Sequence, residues 1–286
     1  MTTSSKEKLQ ISFSGGRTSA YMTKLILDNW KDKYDFIVTF ANTGKEHPKT
    51  LEFIHNCDTI FGFNTVWLEA NVFMDERKGT GFKIVSYETA SRNGKPFEQV
   101  IRKYGISNPS YLHCTRELKL APMRSYLASL GINHKEIPTA IGIRADEKRR
   151  ISKTAGVDNI IYPLITEWPS DKQDVLDFWE DQLFDLGLDE WDGNCVGCFK
   201  KSFKKIFKQL DTDSTSLDWH NKMEQKYGSV KCPIENTKRV FFRGNTSAEG
   251  VIEMWKQDRE NTPTQLSLDL YENGGCSESC EVYESA

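Results

Sequence analysis

The chain has 286 residues, of which 38% are hydrophobic and 28% charged, and its formal net charge is −3. These values fit a folded protein with a substantial core and exclude a disordered chain or a uniformly basic nucleic-acid coat. No run approaches the roughly 18 apolar residues that a membrane span requires, and Met1 to Gln10 is polar with no apolar leader segment, so a cytoplasmic protein with no membrane partner is expected.

Residues 9–13 (Leu-Gln-Ile-Ser-Phe) predict a short buried strand, followed by a glycine turn and a helix from Thr18 to Trp30 with Tyr21, Leu25 and Ile26 at helical spacing. Residues 36–41 predict a second strand, and the loop from Asn42 to Pro48 leads to a helix carrying Leu51, Phe53, Ile54 and Cys57. Residues 65–69 predict a third strand. Residues 70–112, broken by Gly79, Gly81, Gly94, Pro96 and Pro109, predict an irregular insertion over the site. A helix is expected from Cys114 to Leu130, ended by Gly131, with strands at 138–143 and 159–162. Residues 171–186 have an apolar stripe of Val175, Phe178, Trp179, Leu183 and Leu186. Phe199 to Leu210 predicts an amphipathic helix with its lysines in water, and 217–260 two more helices around an irregular segment. Strands alternating with helices predict an α/β fold, a parallel sheet with helices on both faces. The expected organisation is a nucleotide-binding α/β domain over 1–212, a helical extension over 213–262 and a mobile acidic tail over 263–286.

Charge is uneven. Arg144, Lys148, Arg149, Arg150 and Lys153 form one basic run, and five lysines between Lys200 and Lys208 form another. Such runs can recruit phosphates or a nucleic acid, though a solvated face is the commoner meaning.

The turn Ser14-Gly15-Gly16-Arg17-Thr18-Ser19 joins a strand to a helix. Glycine lets the backbone approach an anion, amides at the helix N-terminus point toward negative charge, and Ser14, Thr18 and Ser19 add hydroxyls while Arg17 adds charge. It is neither a Walker loop nor the dinucleotide fingerprint. The chemistry it suits is the phosphate of a nucleotide.

Seven cysteines, Cys57, Cys114, Cys195, Cys198, Cys232, Cys276 and Cys280, in a chain without a secretory leader point to metal or redox chemistry rather than a disulfide framework. Cys195-Val-Gly-Cys198 is compatible with zinc, an iron–sulfur cluster or a dithiol. Cys57 sits on an apolar helix face and reads as core.

Four ordered segments resemble the phosphoadenosine-phosphosulfate (PAPS) reductase family, within the adenine nucleotide α-hydrolase-like superfamily. They are Ile11 to Ser19, which is similar to its PP-loop; Asn42 to Thr50; Cys114-Thr-Arg-Glu-Leu-Lys119-Leu-Ala-Pro122; and Gly142-Ile-Arg144-Ala-Asp-Glu147, followed by Tyr162-Pro-Leu164 and Trp168. The resemblance covers about residues 9–210. It implies a five-stranded parallel sheet with ATP or a sulfonucleotide across its carboxyl edge, where open α/β sheets bind ligands. Ser14, Gly15, Gly16, Thr18 and Ser19 would hold phosphate or sulfate, Phe40, Ala41, Asn42 and Thr43 would line adenine and ribose beside Gly142, and Lys119 and Arg144 would neutralise the anion. Magnesium is a candidate companion ion. Many ATP-splitting members carry aspartate where this chain has Thr18.

Cys114 followed 81 residues later by Cys195-x-x-Cys198 also resembles the iron–sulfur reductases of the family, with His113 in place of the first cysteine of their Cys-Cys pair. That implies a [4Fe-4S] cluster on Cys114, Cys195 and Cys198, with Cys232 or His113 as fourth ligand and structural zinc as the alternative. Family reductases use a tail cysteine as nucleophile. Cys276 and Cys280 are the candidates here, without the family's Glu-Cys-Gly-x-His signature. The resemblance supports ATP-dependent activation of an acceptor with sulfur transfer, from a sulfur-donor protein and onto an acceptor that includes nucleic acid as a candidate. The alternatives are sulfonucleotide reduction, or a nucleotide- or nucleic-acid-binding module stapled by zinc.

Overall fold

The computed structural model describes residues 6–260 apart from 76, 190 and 234. Cys276, Cys280 and the segment expected as a tail lie outside the described residues.

Strand β1 (Glu7–Ser12) buries Leu9 and Ile11 and runs through a turn into helix α1 (Arg17–Asn29). Strand β2 (Tyr34–Asn42) follows, and then α2 (Pro48–Phe61). The ring of His47 caps α2 by accepting from the Lys49 amide, Pro48 occupies the first turn, and Gly62 closes the helix in the left-handed region. Strands β3 (Val66–Val72) and β4 (Thr80–Val85) form a hairpin, and α3 (Lys95–Tyr104) packs behind it. After a π-turn over Cys114–Leu120 come α4 (Ala121–Ser129), β5 (Thr139–Ile141) and β6 (Ile160–Ile161). The chain continues through α5 (Pro163–Thr166), α6 (Lys172–Glu180), α7 (Phe203–Thr212), α8 (Asp218–Tyr227) and α9 (Ala248–Glu260).

The sheet order is β4-β3-β2-β1-β5-β6. The five strands expected from the sequence pair in parallel, and β4 joins β3 antiparallel at the edge. This sixth strand lies in the segment expected to be irregular. Its sequence, Thr-Gly-Phe-Lys-Ile-Val, hides the strand because Gly81 interrupts the alternation and Ile84 points to solvent, 58% exposed.

Three helix boundaries also differ from expectation. The helix expected over 171–186 ends at Glu180, so Leu183, assigned to its apolar stripe, is 93% exposed while Leu186 returns to the core. The helix expected from Phe199 starts at Phe203, where Ser202 caps it by accepting from the Lys205 amide at 3.4 Å. The single helix expected over 114–130 divides into the π-turn and α4. Pro122 explains the division: it has no N–H, and its ring crowds the carbonyl four residues back, which favours a wider ladder through 114–120.

One core cluster joins β1 and β2 to α1, α2 and α6 through Ile11, Phe13, Ile26, Phe53 and Trp179. A second joins Phe97, Ile101 and Leu118 to Phe207, Met223 and Phe241. The C-terminal helices thus share a core with residues 97–118. No helix among the described residues is long and apolar enough to cross a membrane.

Candidate functional site

The crossovers from β1 lead outward to β2 and β3 on one side, while β5 and β6 lie on the other. The strand order therefore reverses beside β1, the position at which open α/β sheets bind their ligands. The turn 14–16 stands at this point. Gly15 has φ +82°, and a Cβ on it would come within 2.8 Å of Ile54 Cδ1 and 2.9 Å of Thr50 Cγ2, so both conformation and space require glycine. Gly16 caps α1 with no side-chain hydrogen bond, and no acidic residue lies in the first turn. An anion held at this turn would face the amides of the helix N-terminus.

Ser19, fully buried, fixes the turn from below. Its Oγ donates to the Gly16 carbonyl at 3.0 Å and lies 2.8 Å from Ser14 Oγ. Gly142, just past β5, allows close approach: a Cβ there would stand 2.8 Å from Ser19 Cα. Thr18 accepts from Arg144 Nη1 at 3.2 Å, and the same guanidinium binds Asp146 at 2.9 Å, which holds that carboxyl below its ordinary pKa. Arg17 has an acidic partner. It pairs with both oxygens of Asp185, at 2.6 and 2.5 Å, while Trp179 Nε1 donates to its carbonyl.

Of the residues expected around adenine and ribose, Phe40 packs edge-to-face on Trp67 in the core, and Ala41 is buried. The Asn42 amide donates to Glu69 at 2.7 Å and to the Ser91 carbonyl at 2.9 Å. Thr43 begins a second feature. Residues 45–47 pair with 194–196 through a Glu46–Cys195 bridge, His47 N to the Asn194 carbonyl at 2.6 Å, and Val196 N to the Lys45 carbonyl at 3.0 Å. Asn194 Nδ2 then donates to the Ser14 carbonyl at 2.6 Å. Buried Glu46 accepts from Thr43 N and Oγ1 at 2.9 Å and from Cys195 Sγ at 3.5 Å. Burial pushes its carboxyl pKa up, against the pull of the Lys119 charge and the Thr43 bonds.

Beside this pairing lies a cavity lined by Cys114, Cys195, Cys198, Lys45, Lys119 and His220, with Phe97, Phe199 and Phe241 among its apolar walls. The π-turn matters here. Cys114 and Lys119 are five residues apart, one turn of an i→i+5 ladder, and so reach the same cavity; in an α-helix of 3.6 residues per turn they would diverge. Burial holds the Lys45 ammonium below its ordinary pKa, and burial with the Lys45 charge brings His220 down to about 3.

Cys114, Cys195 and Cys198 are the soft donors that could hold a metal group at this cavity, and thiolates in a largely apolar wall suit one. Among the described residues, no group of three or more His, Cys, Asp or Glu side chains stands placed to hold a metal ion. The two expected fourth ligands are elsewhere. His113 lies between Tyr104 and Tyr111, its pKa lowered to about 4 by burial and by Arg116 and Arg239, and Cys232 Sγ contacts Thr237 Oγ1 at 3.3 Å. Cys57 is buried in the core, as expected. Neither basic run is a plain solvated face, because Lys201 and Arg150 are buried and Arg150 pairs with Glu147 at 2.7 Å.

Asn194, Glu46, Asp185 and His220 were not singled out by the sequence. Asn194 precedes Cys195 and Glu46 lies in a family-like segment, so position alone was a signal for those two. Nothing local marks Asp185 or His220.

These features define a doubly wound α/β protein with an anion-suited turn at its switch point and a thiol-lined cavity alongside. The chain belongs to the phosphoadenosine phosphosulfate reductase domain family, whose model matches residues 8–159. That stretch holds the turn, Cys114, Lys119 and Arg144; Cys195 and Cys198 lie beyond it. The chain is 30% identical to the uncharacterized nin region protein ORF290 of Escherichia phage lambda, over 96% of this chain and 94% of that protein. It is 22% identical to the uncharacterized protein MJ0066 of Methanocaldococcus jannaschii, over 89% of this chain and 47% of that protein, so it spans about half of that relative. A crystal structure of phosphoadenylyl-sulfate (PAPS) reductase from Candida auris, in a phosphate complex, is 15% identical, with a TM-score of 0.39 over 61% of this chain and 72% of that one.

Proposed function

We propose that the chain is an enzyme that binds an adenine nucleotide at Ser14–Ser19 and uses it to activate an acceptor for sulfur transfer, with an iron–sulfur cluster on Cys114, Cys195 and Cys198. The observation that carries this reading is the Asn194 bond to the Ser14 carbonyl, which ties the residue ahead of Cys195, a lining residue of the thiol cavity, to the anion turn. In this reading the turn's amides hold the β- and γ-phosphates of ATP, while Lys119 and Arg144 offset charge that develops as the bond to pyrophosphate breaks. An acceptor oxygen attacks the α-phosphorus and pyrophosphate leaves. A sulfide-level nucleophile then displaces AMP, which carries away the acceptor oxygen. A bound cluster would supply a soft, redox-capable centre for handling sulfur beside the nucleotide.

Thr18 favours a second reading. Its hydroxyl, held by Arg144, brings no negative charge to a position where an aspartate could anchor magnesium. That suits a sulfonucleotide reduced to sulfite. The two readings separate in one experiment on anaerobically purified protein: pyrophosphate release from ATP in the presence of candidate acceptors supports the first, and sulfite release from PAPS with a thiol reductant supports the second. Tight nucleotide binding with neither product would sink both and leave a binding module.

A further inference from the structure

The cavity holds three thiols, and a four-iron cluster with all-protein ligation needs one donor more. We propose that this donor is His220, an assignment that rests on the reading of Cys114, Cys195 and Cys198 as metal ligands.

His220 lies in the first turns of α8 and lines the same cavity as the three cysteines, which neither His113 nor Cys232 does. Its ring is 3% exposed and enclosed by Trp219, Phe241 and Phe242, with centroids 5.1, 4.9 and 6.1 Å away. Aromatic walls fix the ring but offer its Nδ1 nothing. Nδ1 is buried and has no hydrogen-bond partner among the described residues. A buried polar atom left unpaired is costly and rare, and a metal is one of the few partners that removes the cost.

Gly197 supplies the second argument. It lies between Cys195 and Cys198 with φ +66°, and a Cβ on it would stand 2.3 Å from His220 Cε1, 2.9 Å from Nδ1 and 3.0 Å from Nε2. The imidazole therefore rests directly on the backbone of the Cys-x-x-Cys turn, in space that any other residue would fill. Imidazole is a ligand for iron and zinc alike, and histidine replaces cysteine in some iron–sulfur centres. His113, by contrast, does not line the cavity, and its Nδ1 lies 3.3 Å from Arg116 Nη2.

The test uses the full chain, grown with 15N-histidine, purified anaerobically and reduced, with iron and acid-labile sulfide counted and histidine nitrogen coupling read by pulsed electron paramagnetic resonance. The expected result is strong nitrogen coupling in the wild type, its retention in His113→Gln and its loss in His220→Gln. His220→Cys should keep iron and sulfide at wild-type levels with no nitrogen coupling. A cluster without histidine coupling in the wild-type protein overturns the assignment whatever the variants do, as does coupling that survives His220→Gln. A wild-type preparation with neither iron nor sulfide overturns the thiol-site reading itself, and the assignment with it.

Discussion

Asn194 donates its side-chain amide to the carbonyl oxygen of Ser14 across 2.6 Å, although 180 residues separate them. The residue ahead of Cys195 thus steadies the turn that follows β1. Asn194→Ala removes one hydrogen bond, a net loss of about 1 kcal/mol. The expected outcome is a folded protein whose nucleotide affinity, measured by calorimetric titration, falls roughly fivefold. Unchanged affinity would show that the turn is held without Asn194.

Gly15→Ala meets both a left-handed backbone and a filled space beside Ile54 and Thr50. A Cβ in that conformation costs about 1–2 kcal/mol, and overpacking adds about 1–3 kcal/mol. Urea unfolding is expected to show a loss in that combined range, with nucleotide binding abolished. Gly79→Ala, where a Cβ meets nothing within 4 Å, is the matched control and should leave both unchanged.

Asp185 titrates in a definite direction. Burial alone would raise its carboxyl pKa, but the Arg17 hydrogen bonds, with the amides of Leu186 and Gly187, outweigh it and hold the group below 3.8. A carboxyl depressed on folding stabilises the protein above its unfolded pKa, and that contribution is lost as the pH falls through the folded value. The pair is partly exposed, so its worth is about 0.2–1 kcal/mol. Asp185→Asn is expected to lower stability by this amount at pH 7 and by progressively less as the pH falls through the folded-state value, in thermal melts across the range.

Gly94 sits at φ +78° beneath Trp219, where a Cβ would fall 2.5 Å from the indole Nε1. Gly94→Ala should therefore push α8 away from α3, at a cost of about 2–5 kcal/mol. Because His220 follows Trp219, metal retention should fall along with stability. Metal content equal to wild type at reduced stability would separate the two effects.

Metal loading should follow the cavity and ignore the other thiols. Cys195→Ser and Cys198→Ser are expected to lose iron and sulfide, while Cys57→Ser retains both. Cys57 lies in the core, and burial pushes its thiol far above the ordinary value, so native protein should also shield it from alkylation at pH 8.

The sequence made the parallel strands legible because short apolar runs between helical repeats have few other solutions, and Gly15 was legible because an anion turn needs backbone at close range. β4 was not, since an edge strand with one wet face and a glycine in it loses the alternation that marks strands. The π-turn was also hidden. Apolar spacing around Leu118 and Met123 fits a helix, and only the clash at Pro122 shifts its ladder. His220 shows the deeper limit: its relation to Cys198 exists only after α8 has packed over Gly197, and no local pattern encodes a contact made by the tertiary fold.

The bond between Cys195 and Glu46 spans 149 residues of chain. During synthesis Cys114 leaves the ribosome about a hundred residues before His220, a delay of roughly 5–20 s at ordinary elongation rates. For most of that interval Cys114 has no enclosing wall, because Cys195 and Cys198 follow it by 81 and 84 residues and α8 comes later still. On the reading proposed above, a group held by these three thiols and His220 could be enclosed only after residue 220 has emerged.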